Sequence, residues 1–276
     1  MTGVETAAGP VPGPVLFARY AYPPNALGYC GPDDAAALLG AADAGATGEL
    51  AHLAARFEGA WPYLQLIAGC NGIGDPLDRR VVEAYWVGNA LLGQVPPGAL
   101  VTSLTERFER RAGRQLEPIV ASVPLGGLAH HSFHVFAVYP WLGLLRAGRV
   151  EAALTVLDRC RIRWGAVLSV DGDWATVRSR GLRFDGSRLS LGDEEVETAR
   201  CGDGGVSLAP HLEPGDTVSL HWDWVCDRLT PTALSHLRSC TVRNLAAVNA
   251  LPAPGPAVAA EASGDPAKAR LGPAEP

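Results

Sequence analysis

Cys160-Arg161-Ile162-Arg163-Trp164-Gly165-Ala166-Val167-Leu168-Ser169-Val170-Asp171-Gly172-Asp173 is the stretch whose pattern decides the fold. Ile162, Trp164, Ala166, Leu168 and Val170 alternate with Arg161, Arg163, Gly165, Val167 and Ser169. A period of two is the signature of a strand. Asp171-Gly172 then reads as a hairpin turn, because glycine accepts a positive φ. The return strand is expected over 174–177. A second hairpin is expected from 182–184, through Asp185-Gly186, to 188–191. Pro214-Gly215-Asp216 leads into a further strand, Thr217 to His221. Thr230-Pro231 opens a helix, with Thr as N-cap and Pro at the first helical position. Leu234, Leu237, Thr241, Leu245 and Val248 form its inner stripe. Short strands with glycine turns favour a barrel, which limits exposed edges.

Upstream of Cys160 the period changes. Ala35 to Gly40 follows Pro32-Asp33-Asp34 as a helix start with acids in the first turn. Leu50, Leu53, Ala54 and Phe57 recur at helical spacing, and Pro62 to Ala68 continues an apolar segment. Glycines and a proline break the chain over 69–76. Helices are then expected over 78–92, 104–112, 130–145 and 150–159. The fold class is therefore α+β: a mainly α-helical N-terminal domain, then a small OB-like antiparallel β-barrel with a C-terminal helix. The expected boundaries are a flexible N-terminus at 1–14, a helical domain at 15–157, the barrel plus helix at 158–250, and a disordered tail at 251–276. Both ends carry the Gly, Pro and Ala composition of unstructured chain.

Of the 276 residues, 47% are hydrophobic and 19% charged, enough for a sizeable core. The net charge of -6 argues against a nucleic-acid footprint, which would be a basic face or stripe. No apolar run approaches the roughly 18 residues of a membrane span. Residues 1–14 lack the basic and apolar regions of a secretory leader. The expected compartment is the cytoplasm, where the six scattered cysteines stay reduced. With no C-x-x-C pair, neither a zinc ribbon nor a thioredoxin-type motif is expected.

Cys160 and His221 offer thiolate and imidazole, donors for a soft metal. Arg161 and Arg163 flank Cys160 and are expected to lower its pKa. In a regular strand His221 shares the face of Ser219 and Thr217, so it is expected to point out of the barrel and be available. His130 and His134 lie one helical turn apart, and Cys30 sits in a Gly-Tyr-Cys-Gly-Pro loop. Together these three are a candidate second site for metal or nucleophilic chemistry. The Glu of an H-E-x-x-H zincin is absent from that run. Trp222, Asp223 and Trp224 form a candidate partner-binding surface, since Trp is favoured at binding hot spots. Alternatively one Trp packs the barrel and the other covers the helix. The 69–74 run, GCNGIG, has neither the Lys-Ser/Thr nor the preceding strand of a phosphate loop.

The order of these landmarks resembles the HypC/HupF family of nickel–iron hydrogenase maturation chaperones. Those proteins have a glycine five residues after a cysteine, a Gly-Asp turn, then Pro-Gly-Asp, a strand, a histidine and a helix. Gly165, Asp171-Gly172-Asp173, Pro214-Gly215-Asp216, His221 and the helix over 230–249 follow in that order, across about a third of the chain. The family's cysteine is N-terminal, whereas Cys160 is internal. The resemblance implies a metal-handling role for Cys160 with His221, and a transient cargo of iron bearing CO and cyanide. It implies two partners, a HypD-type scaffold and a hydrogenase large-subunit precursor, and a chaperone rather than an enzyme. The strings 17–25 (FARYAYPPN), 27–32 (LGYCGP) and 130–134 (HHSFH) resemble a domain of unknown function from high-GC bacteria, encoded beside hydrogenase genes. Two rival readings are a Cys/His-dependent enzyme centred on Cys30, His130 and His134, and a metal-free adaptor binding through Trp222 and Trp224.

Overall fold

A computed structural model describes residues 11–112, 116–209 and 211–251. The helical part contains α1 (Gly13–Ala26), α2 (Ala35–Asp43), α3 (Thr47–Ala54), α4 (Trp61–Cys70), α5 (Arg79–Trp86), α6 (Pro97–Ala112) and α7 (Leu116–Ser122). It continues through α8 (His131–Phe133), a π turn (His134–Val138), α9 (Trp141–Arg146) and α10 (Val150–Cys160). Five strands follow: β1 (Arg163–Asp171), β2 (Trp174–Phe184), β3 (Leu189–Arg200), β4 (Thr217–His221) and β5 (Trp224–Arg228). The last described helix is α11 (Pro231–Asn249). The chain is α+β, with its helices concentrated before the sheet.

The strands close a barrel in the order β1-β2-β3-β5-β4, with β4 returning to β1. All pairings are antiparallel except β3–β5, which is parallel through Arg200 and Trp224. Val167, Ala175, Val177, Ala199, Val218, Leu220 and Val225 fill the interior. Ala175 pairs with Ala199, so two small side chains meet where a narrow barrel has least room. Both expected hairpins form, but the strand pieces expected at 174–177 and 182–184 are one strand, β2, bulged between Arg180 and Leu182. Acidic residues along β3 hid its length from an apolar pattern.

The alternation in β1 also changes phase. A bulge between Val167 and Ser169 inserts one residue. Val167 faces the barrel interior, while Ala166, Leu168 and Val170 are exposed. Before the bulge, Ile162 and Trp164 face the helices instead. They join Trp224, Cys226 and Leu229 in the same hydrophobic cluster as Phe17, Tyr20 and Trp86. The barrel thus buries two surfaces, its own interior and an outer face seated on the helical layer. One core runs across the expected boundary at 157/158, which falls inside α10.

Several helices differ from their sequence-based limits. The helix expected over 78–92 stops at Trp86, and Gly88 takes a φ of 97°. The expected 130–145 helix is broken by the π turn and by Pro140, which cannot continue the ladder. At the start of the chain α1 begins at Gly13, inside the segment expected to be flexible. Prolines at the first turn preset its φ at no cost in hydrogen bonds. Residues 1–10 and 252–276 lie outside the described residues. α11 starts where expected, with the Thr230 side chain accepting from the Ala233 N–H. Leu237, Thr241, Leu245 and Val248 are buried on its inner stripe. Among the described residues no helix is long and apolar enough to cross a membrane.

Barrel closure depends on Gly165. A Cβ there would collide with Val177 Cγ1 and stand 2.7 Å from the Arg178 carbonyl oxygen. Gly165→Ala is expected to destabilise the protein by about 1–3 kcal/mol, read as a lower urea midpoint. An unchanged midpoint would contradict this packing.

A second internal constraint is ionic. Arg163, only 2% exposed, bonds Glu197 at 2.8 Å, and Glu197 also receives Arg159 and Ser179. Burial pushes the Glu197 carboxyl up, but Arg163, Ser179 and Arg159 together outweigh it and hold it below its usual value. A depressed carboxyl stabilises above its unfolded pKa, and that contribution is lost as pH falls through the folded one. Glu197→Gln is expected to cost about 3 kcal/mol at neutral pH, because it strands a buried guanidinium. That difference from wild type should shrink below about pH 4. A pH series of denaturant midpoints for both proteins tests it.

Candidate metal centre

Two carbonyls with no helical donor organise the site. Tyr20 lies in α1 four residues before Pro24, and proline has no N–H to give to the i−4 carbonyl. The Tyr20 carbonyl instead accepts from His221 Nδ1 at 2.6 Å. Cys160 ends α10, where carbonyls have no intrahelical partner. Its carbonyl accepts from His131 Nε2 at 2.8 Å.

These bonds set the histidine tautomers, because a carbonyl only accepts. His221 carries its proton on Nδ1, so Nε2 presents a lone pair, and that buried atom has no hydrogen-bond partner. His131 carries its proton on Nε2, and Nδ1 accepts a long 3.2 Å bond from the Tyr85 hydroxyl. The His131 and His221 rings meet edge to face with centroids 5.1 Å apart.

One donor atom each from His131, Cys160 and His221 lies within 4.8 Å of the other two, and all three residues are buried. Among the described residues this is the one group of three such donors. It joins α8, α10 and β4. His221 has the usual preparation of a metal-binding histidine, one ring N–H donated to a backbone carbonyl and the other nitrogen bare, whereas His131 Nδ1 would have to give up its long bond from Tyr85. The carbonyl end of α10 adds a partial negative charge, which favours a cation there.

Burial keeps the three groups neutral. It holds His131 down at about 4 and His221 well below the usual histidine value. Burial first, then the charge of Cys30, raises the Cys160 thiol, against a smaller opposing effect of the Trp222 indole N–H. The flanking arginines do not lower it. The Arg161 guanidinium is taken by Asp158 and the Arg180 carbonyl, and Arg163 by Glu197 and the Trp222 carbonyl. Burial itself lowers Arg161 to about 10. A cation entering the site must therefore displace the thiol proton.

His221 does point away from the barrel interior, as its strand register implied, but it is not available. It is fully buried against Tyr20, Trp86 and His131. The expected second site does not assemble. His130 is the extended N-cap of α8, its Nδ1 accepting from the Ser132 N–H at 3.0 Å, so it is off the helix face. His134 Nδ1 meets the Tyr63 hydroxyl at 3.3 Å, and its ring packs on Tyr139. Cys30 is half-buried, and burial pushes its thiol up to about 12. Its charge acts on Cys160.

Trp222 and Trp224 are buried and form no open recognition surface. Trp222 stacks on Tyr29 at 4.3 Å, and Trp224 meets Tyr22 edge-on at 5.3 Å. Asp223 is exposed and pairs with Arg159 at 3.1 Å. Trp222 is the one non-glycine with positive φ among the described residues, at 52°. A bulky residue there is strained. Its N–H is held by the Arg159 carbonyl at 2.8 Å and its carbonyl by Arg163.

A protein-family model described as "Family of unknown function (DUF6390)" matches residues 9–254, spanning both the helical part and the barrel. The chain belongs to that family. No curated protein and no solved structure gives a significant match. That single match spans His131, Cys160 and His221.

The centre is closed, and thiol chemistry reports this. On the native, reduced protein at about pH 8, where an ordinary thiol is partly ionised, iodoacetamide is expected to label Cys70 first and Cys30 more slowly. Cys160 should stay unmodified until the protein unfolds. Peptide mass analysis over time checks the order, and native labelling of Cys160 ahead of Cys70 would contradict the closed site.

Proposed function

We propose that this protein is an accessory factor of nickel–iron hydrogenase maturation, a chaperone that receives the iron centre or the large-subunit precursor. The observation that carries this reading is the convergence of Cys160 and His221, with His131 added from the helical part. The resemblance to HypC/HupF proteins implies a metal-handling role for the first two. A five-stranded barrel followed by a helix supports the same reading.

The donor set suits the cargo. A thiolate and neutral imidazoles are fit ligands for low-spin iron(II). The unpartnered Nε2 of His221 is the most direct sign that the pocket takes a cation. Iron bearing CO and cyanide is the transient substrate of this reading, not a resident cofactor. A HypD-type scaffold would supply it and the large-subunit precursor would accept it, in the cytoplasm. The helical part takes the place of a free chain end: it supplies His131 and covers the thiol.

The rival readings have less support. Cys30, His130 and His134 do not form a donor group, which removes the basis of an enzyme centred on them. Trp222 and Trp224 are packed inward, which weakens a metal-free adaptor built on their faces.

Cys160→Ala is expected to abolish iron co-purification and to lower hydrogenase activity in the native host at least about tenfold. His131→Ala should lower both, less severely. Normal iron content and normal activity in Cys160→Ala would overturn the metallochaperone reading. A pull-down from the same host that recovers neither a large subunit nor a HypD-type protein would remove its partners.

A further inference from the structure

We propose that the open edge of β3, between Asp193 and Ala199, docks an extended segment of a partner protein. The segment adds to the barrel as a further strand and alternates basic with apolar residues. The inference stands apart from the metal centre and does not depend on it.

The backbone is the first argument. β3 pairs with β2 from Leu189 to Arg200, but its seam with β5 closes through one residue pair, Arg200 with Trp224. Beyond that pair β5 runs beside β4 instead. At the other end of β3 the Asn249 side chain bonds both the N–H and the carbonyl of Leu189. Between these two ends, from Asp193 to Ala199, no backbone group on the outer edge of β3 has a partner among the described residues. The Arg200 N–H donates to the Asp223 carbonyl at 2.6 Å, so it points away from β2. The ladder is in unbroken register from Arg200 back to Glu194, and alternate residues of a strand turn their N–H and C=O to the same side. Glu194, Val196 and Thr198 therefore present their backbone groups to the open edge. The free stretch is roughly 20 Å long, at about 3.3 Å per residue.

The surface beside that edge is the second argument. A groove of about 700 Å3 runs along it, lined by Val196, Thr198 and Arg200 of β3, by Trp174 of β2, and by Arg159 and Asp223. Strand addition draws affinity from main-chain hydrogen bonds and specificity from alternate side chains. The two faces of this edge differ in charge. Asp193, Glu195 and Glu197 alternate on one face. Glu197 is held by Arg163, and Asp193 pairs with Arg183 in an exposed contact of small worth. Glu195 stands opposite Ser179, with no cation across the ladder. The other face carries Val196, 62% exposed, and Trp174, 45% exposed. It also carries Arg178, opposite Val196, and Arg200, whose guanidinium lies 4.9 Å over the Trp174 ring. A basic residue suits the first face and an apolar one the second.

The same pattern disfavours a second copy of this chain. Two β3 edges paired antiparallel would set their acids against one another, and like charges directly opposite are destabilising. Acids on an edge discourage such self-pairing, and they leave a basic strand as the complement.

The test uses the full-length protein and a synthetic peptide of alternating lysine and valine with blocked ends, followed by amide hydrogen exchange in NMR spectra. Adding the peptide is expected to slow exchange at Glu194, Val196 and Thr198. The Glu195 and Glu197 amides, already bonded to β2, should not change. Val196→Pro removes an N–H that the β2 ladder does not use, a change tolerated at an edge, and should lower affinity at least about tenfold. N-methylation of the peptide, at either its lysines or its valines, should block binding in one of the two sets only, which tests the pairing on wild-type protein even where Val196→Pro fails to fold. A peptide of alternating glutamate and valine should not bind. Absence of binding by the lysine peptide, binding that leaves the three amides unprotected, or equal binding by the glutamate peptide would overturn the proposal. Undiminished affinity in a folded Val196→Pro, or equal binding by both N-methylated peptides, would do the same. Amides already slow before peptide is added, and faster on dilution, would assign the edge to a second copy and likewise overturn it.

Discussion

The hydrogen bond from His221 to the Tyr20 carbonyl does two things at once. It pins the edge of β4 to α1, and it fixes the tautomer that leaves Nε2 bare. Pro24 makes it possible, because a residue with an N–H at that position would claim the carbonyl for the helix. The Tyr20 hydroxyl adds a second buried bond, to Ser219 at 2.8 Å, and Arg19 pairs with Asp227 at 2.9 Å. One turn of α1 thus engages successive outward positions of β4 and β5. That contact helps to seal the outer face of the barrel, where His221 is fully buried.

Part of this was legible in the sequence. Period-two alternation, glycine turns and the Thr230-Pro231 start place β1, the turn at Gly172 and α11, because each reflects local backbone preference. The pairing of Cys160 with His221 was legible through the order of landmarks. His131 was not. The spacing of His130 and His134 suggests a shared helical face, but His130 is an N-cap with extended backbone and the π turn begins at His134. A one-residue shift in where the helix starts moves the useful histidine from His130 to His131. His221 is on the outward face yet fully buried, for a related reason. Strand register tells which face a residue takes, and not what covers that face. The prolines at 23 and 24 were the missed signal: two helix-incompatible residues in an apolar segment mark carbonyls released to other donors.

The arginines beside Cys160 show how proximity in sequence misleads. Arg161 and Arg163 are almost wholly buried, yet each guanidinium is held by its own carboxylate, Asp158 and Glu197. Their charge is neutralised before it reaches the thiol, and burial dominates. They act on the backbone instead. Arg163 holds the carbonyl of Trp222, a residue in a strained left-handed conformation. Strain of this kind persists where surroundings over-determine it, and it gathers at functional sites. Here it aims an indole at the space between Tyr29 and Cys160. Replacing the ion pairs by apolar residues of similar volume would fill the core, but the Trp222 carbonyl would lose its guanidinium partner.

Because the three donors come from α8, α10 and β4, occupancy and docking are thermodynamically linked. A ligand that binds only the docked arrangement stabilises it by RT ln(1 + [L]/Kd), about 2.7 kcal/mol at a hundredfold excess over Kd. The same linkage works in reverse: loosening the α1–β4 contact weakens the site without touching a donor. If the centre holds a metal as proposed, a partner that competes for the outer face of β4, or draws the Tyr29 loop off Trp222, would lower its affinity. A cysteine at a free chain end can release its cargo by exposure alone. On the proposed reading an internal one must be uncovered, and the helical layer is what covers it.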